Sequence, residues 1–355
     1  MSSQQTKGLV LITGANGYVA ARTVESLLLA GYSVRGTVRS LSSAEPLYAS
    51  LPAHLRSDLS IVSVPDITSP GCFDDAVKGV DAVAHIAAPV SATFSDPEPV
   101  LKVAKESILR ALESAATEPK VKSFVLMSSV AAIKPSGEDT WDLDENVWND
   151  ASLEMVEKMG KNTPGFVIYG ASKTAAEKTL WKWRDENKPG FTITALNPCF
   201  IAGPPLVPAS SPNGINFTTK FIYDVLEGST PLSDISRGMF PGLVDIRDVA
   251  RMVVFSISNP EKSNNQRFLL ASAFSPIQAV ADIIREKFPE YRDRVQKGSP
   301  GKGYTRMVQA DGVKSYDFPQ QQRYNGRKAV EVSGQEYIPW EQTIVDGVEA
   351  FKGFL

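Results

Sequence analysis

Tyr169 and Lys173 are the residues of this sequence whose types and spacing most directly suggest chemistry. They stand four positions apart at the start of a segment with helical periodicity, and residues with this spacing lie on one face of a helix. A phenol titrates near about pH 10 in water, and a nearby ammonium group favours the phenolate. Such a tyrosine could protonate an alkoxide as a general acid. The same spacing also occurs on exposed helix faces without function, so the pair needs support from elsewhere in the chain.

The composition indicates a soluble globular protein. The chain has 355 residues, of which 43% are hydrophobic and 22% are charged, enough to build one or two domains. A net charge of −3 with interspersed acids and bases predicts no nucleic-acid or membrane partner. No apolar run approaches the roughly 18 residues of a membrane span, and Met1–Gly8 lacks the apolar segment of a secretory signal. With only two cysteines and two histidines, we expect no disulfide framework, no bound metal and a cytoplasmic location.

A strand, a glycine-containing turn and a helix open the chain. Leu9–Thr13 is a continuous apolar run, typical of a buried parallel strand, and Val19–Ala30 has helical periodicity. Between them, Gly14 permits a tight turn, Gly17 lets the backbone approach a pyrophosphate, and the small Ala20 allows close packing of helix on strand. The phosphates would bind the free N–H groups of the helix N-terminus, although a tight turn without a ligand is the alternative. The residues expected to contact a dinucleotide here are Gly14, Asn16, Gly17, Tyr18 and Val19.

The end of the second strand bears on the choice of dinucleotide. Ser33–Arg39 reads as this strand, whose end faces the adenosine ribose in dinucleotide-binding folds. An acidic residue there would bind the ribose 2′-hydroxyl, whereas an arginine pairs with a 2′-phosphate. The strand ends in Arg39 and no acidic residue precedes Glu45, which predicts NADPH rather than NADH. A solvated arginine without a ligand is the alternative.

Two further strands carry candidate cofactor contacts at their ends. The third, Leu59–Val64, is followed by Asp66 and Ile67, and Asp66 could either reach the adenine or cap the next helix. The fourth, Asp81–Pro89, contains Ala87 and Ala88, whose small side chains would leave room for the cofactor. Within the same strand, His85 is predicted to be a buried core histidine with satisfied hydrogen bonds rather than a catalytic residue.

The fifth strand, Ser123–Ser129, ends in two serines. A serine hydroxyl at this position could bond both a substrate carbonyl and the tyrosine, but paired serines are also ordinary turn formers. The alternation of strands and helices predicts an α/β fold with a doubly wound parallel sheet, of the Rossmann type, and a site at the carboxyl ends of the strands. Other expected elements are helices at 71–78, 97–117, 217–226, 248–258 and 276–288, strands at 191–196 and 266–272, and an irregular loop at 134–165.

Together these segments resemble the extended short-chain dehydrogenases/reductases, and more narrowly the fungal carbonyl and aldehyde reductases and the plant dihydroflavonol and cinnamoyl-CoA reductases. Each matching segment is short, but their order along the chain is the same as in that family. The matching segments are Thr13–Ala20, Arg35–Ser40, His85–Pro89, Ser128–Ser129, Tyr169–Glu177, Asn197–Pro198 with Gly203–Pro204, and Val244–Ala250.

The resemblance implies a catalytic triad of Ser129, Tyr169 and Lys173, with Ser129 preferred over Ser128. It also implies that Lys173 bonds the nicotinamide ribose, and it adds Tyr169, Pro198 and Ile201 to the cofactor contacts. Relatives commonly carry a relay asparagine on the fourth helix, but Lys102, Lys105 and Ser107 occupy that region here, so no relay residue is assigned. The expected domains are an NADP-binding domain at 1–200, to which 240–260 returns, and a mainly substrate-binding lobe at 201–355.

The activity implied by the resemblance is reduction of a ketone or aldehyde to an alcohol by hydride transfer from NADPH, with Tyr169 as proton donor. The partner would be a small-molecule carbonyl substrate, and the protein would be a monomer or homodimer. An NAD-dependent sugar-nucleotide epimerase or dehydratase is one alternative, which Arg39 and the lack of a basic cluster in the C-terminal part disfavour. A non-catalytic dinucleotide sensor is another, which the intact Ser129, Tyr169 and Lys173 set disfavours.

Overall fold

The computed structural model of the chain describes residues 6–88, 94–133, 141–230, 232, 239–302, 304–308, 314–317 and 322–355. Its strands are β1 (Leu9–Ile12), β2 (Ser33–Val38), β3 (Leu59–Ser63), β4 (Ala82–His85), β5 (Ser123–Met127), β6 (Trp141–Leu143), β7 (Thr192–Pro198), β8 (Phe200–Ala202), β9 (Met239–Asp245), β10 (Gln266–Leu270), β11 (Ala273–Pro276), β12 (Thr305–Val308), β13 (Lys314–Asp317) and β14 (Gln322–Tyr324). Its helices are α1 (Tyr18–Leu29), α2 (Glu45–Ser50), α3 (Pro97–Thr117), α4 (Asp150–Met159), α5 (Gly165–Asn187), α6 (Lys220–Glu227), α7 (Ile246–Ser258), α8 (Pro260–Ser263), α9 (Ile277–Lys287), α10 (Arg327–Ser333) and α11 (Trp340–Phe351).

A seven-stranded sheet in the order β10-β7-β5-β4-β1-β2-β3 organises the first part of the chain. β1 pairs in parallel with both β2 and β4, and parallel pairing continues from β2 to β3 and from β4 through β5 to β7. The strand order reverses at β1, which is the topology of a doubly wound sheet with its ligand crevice at the carboxyl ends. The predicted α/β doubly wound fold is confirmed.

The inner strands are apolar because both of their faces are covered. All residues of β4 and β5 are buried, as expected for central strands of a parallel sheet. Leu11, Val83 and Phe124 of the sheet share one hydrophobic core with Ile108 of α3 and Leu180 of α5. Burial of each such side chain contributes about 1.5–3 kcal/mol, so this core fixes the sheet and the two helices relative to each other.

The helix predicted at 97–117 is confirmed at both ends. Asp96 accepts a hydrogen bond from the backbone N–H of Glu98 at 3.2 Å, and Pro97 occupies the first turn. These are the N-terminal signals of a helix, since proline fits the first helical position and an acidic cap satisfies a free N–H group. The predicted strands are also present, with ends that differ by a few residues.

Two local predictions are wrong. Residues 71–78 form hydrogen-bonded turns instead of a helix, because Gly71 and Gly79 adopt φ values of +69° and +74° and so interrupt regular helical geometry. The segment 134–165, predicted to be irregular, contains α4, whose N-cap Asn149 accepts from the N–H of Ser152 at 3.2 Å. Residues 134–140 of that segment, and Pro89 of the predicted fourth strand, lie outside the described residues.

The chain divides into two compact units. Unit 1 comprises Met1–Glu138, Asp144–Asn197 and Ala250–Phe268, and unit 2 comprises Asp139–Leu143, Pro198–Val249 and Leu269–Leu355. The segment of the C-terminal half that belongs to unit 1 is thus Ala250–Phe268, whereas we expected 240–260. The assignment of the remainder to substrate binding stays a prediction.

Unit 2 has its own sheet and its own core. β11, β9 and β8 form a three-stranded sheet in that order, and a hydrophobic cluster joins α6, α9 and α11. α11, which the sequence analysis did not predict, buries Trp340, Ile344 and Val348 at a four-residue spacing along one face. In the part of the chain that the structure describes, no helix is long and apolar enough to cross a membrane.

Candidate active site

Tyr169 and Lys173 lie on one face of α5, as their spacing predicted. The Lys173 Nζ is 5.9 Å from the centroid of the Tyr169 ring, within the range of a cation–π contact. Lys173 is only 8% exposed, while Tyr169 is half-buried and therefore keeps access to a ligand. A buried ammonium group is thus fixed beside a phenol that a substrate could reach.

Ser128 and Ser129 follow β5, and their hydroxyl groups have different roles. Ser128 Oγ donates to Glu177 Oε2 at 2.6 Å, and a carboxylate oxygen can only accept. Ser129 Oγ accepts from the N–H of Ala131 at 3.1 Å, which caps the single helical turn Val130–Ala132. That acceptor role leaves the Ser129 hydroxyl hydrogen available to another acceptor. The turn packs against α5, the helix that carries Tyr169.

A buried carboxylate links the end of β5 to α5. Glu177 is 0% exposed, and its Oε2 also accepts from Asn197 Nδ2 at 2.7 Å. The same amide nitrogen lies 3.1 Å from the carbonyl oxygen of Ser129, to which it donates. Glu177 therefore holds both the Ser128 side chain and, through Asn197, the backbone of Ser129.

Arg267 balances the charge of Glu177. Its Nε donates to Glu177 Oε1 at 2.5 Å, its Nη1 donates to the carbonyl oxygens of Glu145 and Val147, and its guanidinium carbon lies 3.7 Å from the centre of the Trp148 ring. A buried ion pair is tolerated only when such additional bonds are made. This network was not predicted from the sequence, although Glu177 lies four and eight positions beyond Lys173 and Tyr169, on the same helical face.

The glycine turn has the backbone geometry that a phosphate site requires. Gly14 has a φ of +69°, and a Cβ on it would lie 3.1 Å from the Cβ of Ala87, so β1 and β4 converge closely here. The Gly14 N–H donates to Thr37 Oγ1 at 3.2 Å. Gly17 is the N-cap residue of α1 and no side chain caps that helix. An uncapped N-terminus behind a glycine turn fits a bound pyrophosphate.

The other predicted residues of this turn lie at the same helix N-terminus. Asn16 and Gly17 are exposed, and Tyr18 and Val19 are half-buried in the first turn of α1. A close approach that the sequence analysis missed lies at Gly36 of β2, where a Cβ would come within 2.5 Å of Ala15. A glycine inside a strand pattern can signal such an approach.

Arg39 is exposed directly after β2. The guanidinium of Arg35, in the same strand, already donates hydrogen bonds to the carbonyl oxygens of Ala76 and Lys78, both at 2.8 Å. Of the two arginines, Arg39 is therefore the one whose charge could meet a 2′-phosphate. The end of β3 lies close to the residue after β2, since Ser63 Oγ donates to the Arg39 carbonyl oxygen at 3.1 Å.

Asp66 forms a turn after β3. Its carboxylate accepts from the N–H and hydroxyl of Thr68 at 2.9 and 2.7 Å and from Ser69 Oγ at 2.8 Å. These bonds, chiefly that from the Thr68 side chain, lower the pKa of the Asp66 carboxyl below its usual range. The predicted use of Asp66 as a helix cap is wrong, because these bonds stabilise a turn and no helix follows in the described residues before β4. Its contact with the adenine stays a prediction. Ile67 is half-buried beside it.

His85 is buried, as predicted, and only one of its two ring nitrogens has a partner among the described residues. It is 2% exposed, and its Nδ1 lies 3.1 Å from Thr13 Oγ1. Among the residues that the structure describes, no hydrogen-bond partner reaches its Nε2. Burial lowers the pKa of His85 to about 3, and the positive charge of Lys173 adds to this shift. The predicted burial of His85 is confirmed, and full hydrogen-bond satisfaction of its ring stays a prediction.

A small cavity in unit 1 brings several of these residues together. His85, Ala87, Ala88, Ser128 and Lys173 line it. Ala87 and Ala88 are half-buried, consistent with the room that their small side chains were expected to leave. Pro198 and Ile201 instead belong to β7 and β8 in unit 2, and their contact with a cofactor stays a prediction.

Comparison with known proteins agrees with this description. The sequence profile of the NAD dependent epimerase/dehydratase family matches residues 10–271. The chain is 43% identical over 201 residues to aldehyde reductase 2 of Sporidiobolus salmonicolor. The aligned region covers 55% of this chain and 58% of that protein. It is 29% identical over 309 residues to the NADPH-dependent methylglyoxal reductase GRE2 of Saccharomyces cerevisiae, covering 83% and 87% of the two chains.

A solved structure shows the same fold over nearly all of the chain. The crystal structure of Gre2 from Candida albicans in complex with NADPH aligns with a TM-score of 0.81 at 27% identity, covering 98% of this chain and 99% of that one. This agreement and the match of the family profile over most of the sequence confirm the resemblance found in the motifs. The chain belongs to the NAD dependent epimerase/dehydratase family.

Proposed function

We propose that this protein is an NADPH-dependent reductase that converts an aldehyde or ketone to an alcohol. The observation that carries the proposal is the pairing of Tyr169 with the buried ammonium of Lys173 on α5, in a chain whose Ser129 hydroxyl hydrogen is uncommitted. The names of two relatives, an aldehyde reductase and an NADPH-dependent methylglyoxal reductase, support it. So does the NADPH in the Candida albicans Gre2 structure.

Different residues of unit 1 suit the different chemical groups of NADPH. The uncapped N-terminus of α1 behind Gly14 and Gly17 suits the pyrophosphate, and the exposed guanidinium of Arg39 suits the 2′-phosphate. The Lys173 ammonium suits a ribose hydroxyl at the nicotinamide end. When bound, NADPH supplies the hydride that the carbonyl carbon receives.

The chain itself handles the oxygen of the substrate. Ser129 donates its hydroxyl hydrogen to the carbonyl oxygen and thereby orients the substrate. As negative charge develops on that oxygen, Tyr169 donates its phenolic proton to it, and the alcohol is formed. Lys173 stabilises the phenolate that remains, because an ammonium group close by favours the charged form. Proton donation by a positioned side chain typically accelerates a reaction by about 10²–10⁴-fold.

The Tyr169→Phe variant tests this role. It keeps the ring against Lys173 and removes the hydroxyl group that carries the proton, so kcat should fall by about 10²–10⁴-fold while the Kd for NADPH stays largely unchanged. We would follow NADPH oxidation with a panel of aldehydes, ketones, ketoesters and flavanonols, with NADH as the control cofactor. Unchanged turnover in the variant would contradict the role of Tyr169. Purified protein that retains NAD and oxidises no NADPH would instead favour the epimerase alternative.

A further inference from the structure

The hydrogen bonds around Thr13 determine which nitrogen of His85 carries its proton. Thr13 Oγ1 accepts from the backbone N–H groups of Ile86 and Ala87 at 2.9 and 3.0 Å. A hydroxyl oxygen has two lone pairs, and both are used in these bonds. Its own hydrogen must therefore point to the remaining neighbour, Nδ1 of His85, at 3.1 Å. Nδ1 is the acceptor in this bond, so the neutral ring carries its hydrogen on Nε2.

The Nε2–H group of His85 is a buried donor that the described residues leave without an acceptor. The ring is 2% exposed and is held between Phe73 and Phe124, with centroid distances of 6.2 and 6.3 Å. Buried donors in native proteins almost always have a partner, and that partner is an ordered water where no protein group is in reach. The orientation of the ring is fixed by the aromatic neighbours and by Thr13, so the donor cannot turn away.

The cavity beside His85 has the size and lining that a water molecule needs. Its volume is about 20 Å³, and one water requires roughly 10–15 Å³. Ser107 and Lys173 also line it. The Ser107 hydroxyl donates to the carbonyl oxygen of Ala104 at 3.3 Å, which leaves lone pairs on its oxygen to accept a further bond.

We propose that this cavity binds one water molecule, through which His85 positions the ammonium group of Lys173. The water accepts from His85 Nε2–H and from Lys173 Nζ, and it donates to Ser107 Oγ. Three hydrogen bonds are what a buried water typically makes, and the one from His85 satisfies a buried donor. His85 is thus a positioning residue that acts on Lys173 without touching substrate. Its effect on turnover rests on the proposed reductase function, but the water site itself does not.

Nuclear magnetic resonance can test the water site in the whole protein without any substrate. The chain has two histidines, and the exposed His54 is assigned by comparison with the control variant His54→Gln. In ¹⁵N-labelled protein at neutral pH, long-range ¹H–¹⁵N spectra should show His85 neutral with its proton on Nε2. That proton should exchange slowly and show a cross-relaxation peak to a bound water. A proton on Nδ1, a charged ring, or the absence of the water peak would each overturn the proposal.

Two amide substitutions separate the donor role of His85 from its packing role. The side-chain nitrogen of His85→Gln can reach the place of Nε2 and donate to the water, whereas His85→Asn places its amide near Nδ1 and cannot. We expect kcat to be about tenfold higher for His85→Gln than for His85→Asn, the size expected for one hydrogen bond, with equal Kd values for NADPH. Equal kcat values would overturn the positioning role.

These tests remain informative if the reductase proposal fails. If the wild-type protein reduces no carbonyl compound, the proton position and the water peak still decide whether the water site exists. If neither amide variant folds, the spectra of the wild-type protein decide the same question. Carbonyl reduction without a bound water at His85 would leave the proposed function intact and reject this inference alone.

Discussion

Ser128 and Ser129 show how two adjacent residues of one type acquire different uses from their partners. The hydroxyl hydrogen of Ser128 is held by the buried carboxylate of Glu177, while Ser129 uses its oxygen to cap the turn that follows β5. A donor that is already bonded to a carboxylate cannot be turned toward a substrate without leaving a buried charge less satisfied. The difference lies in the partners that the fold supplies, because both residues are buried.

The two serine-to-alanine variants should therefore separate activity from stability. Ser129→Ala removes the donor proposed to face the substrate oxygen, so kcat should fall by about 10²–10³-fold, as for the loss of one such donor. Ser128→Ala should lower the free energy of unfolding by about 1–3 kcal/mol, because the buried Oε2 of Glu177 loses one of its two donors, with a much smaller effect on kcat. Steady-state kinetics and urea denaturation measure the two effects. A larger loss of kcat in Ser128→Ala than in Ser129→Ala would reverse the assignment.

At the scale of elements, the sequence predicts what depends on local signals. α3 begins and ends where its cap, its proline and its periodicity indicate, and the alternation of strands and helices predicts the doubly wound sheet. Features that depend on unusual backbone dihedral angles, or on partners far away in the sequence, were predicted less well. The positive φ values of Gly71 and Gly79 turned an apparently helical segment into turns. Local sequence signals do not report such values, because glycine is also compatible with other conformations.

The same distinction applies to the candidate site. Tyr169 and Lys173 are neighbours because of helical spacing, so their contact could be predicted. Glu177 and Arg267 are 90 positions apart, and nothing in the local pattern indicates that they pair. Nor could the sequence predict that Nε2 of His85 has no partner among the described residues. This depends on how Thr13, β4 and the two flanking aromatic rings come together.

The ion pair that fastens α5 to its surroundings gives a prediction at the element scale. Glu177→Gln keeps the shape of the side chain but leaves the buried guanidinium of Arg267 without its counter-charge. Breaking a buried pair in this way typically costs about 3–5 kcal/mol of stability, measurable as a shift of the urea midpoint. The matched control on the same helix is Glu186→Gln, whose partner Lys182 lies 3.7 Å away with both side chains exposed, and little change is expected.

A double variant separates charge from packing in this network. Glu177→Gln combined with Arg267→Met removes both buried charges, so part of the lost stability should return. If Glu177→Gln is no less stable than Glu186→Gln, the ion pair does not hold α5 in place. If the double variant is less stable than the single one, the contribution of Arg267 comes from its bonds to the Glu145 and Val147 carbonyls and from Trp148.

For the whole molecule, the two units should respond differently to cofactor. Every cofactor contact proposed from the geometry lies in unit 1, so binding should stabilise mainly that unit. A ligand at 100 times its Kd stabilises the folded state by about 2.7 kcal/mol. Because a chain of two units need not unfold in one step, calorimetry should show NADPH raising the transition of unit 1 more than that of unit 2.

The charge of Arg39 should determine how much more NADPH stabilises the protein than NADH does. If its guanidinium binds the 2′-phosphate, NADPH should stabilise the wild-type protein more than NADH at equal concentration, and Arg39→Gln should remove most of the difference. Arg35→Gln is not a suitable control, because Arg35 joins β2 to the carbonyl oxygens of Ala76 and Lys78, which lie 41 and 43 positions away in the chain. The exposed Arg56 bonds carbonyl oxygens five and seven positions away, those of Leu51 and Ala49. Its variant Arg56→Gln is the matched control and should keep the preference for NADPH. Equal stabilisation by both cofactors in the wild-type protein would contradict the role of Arg39.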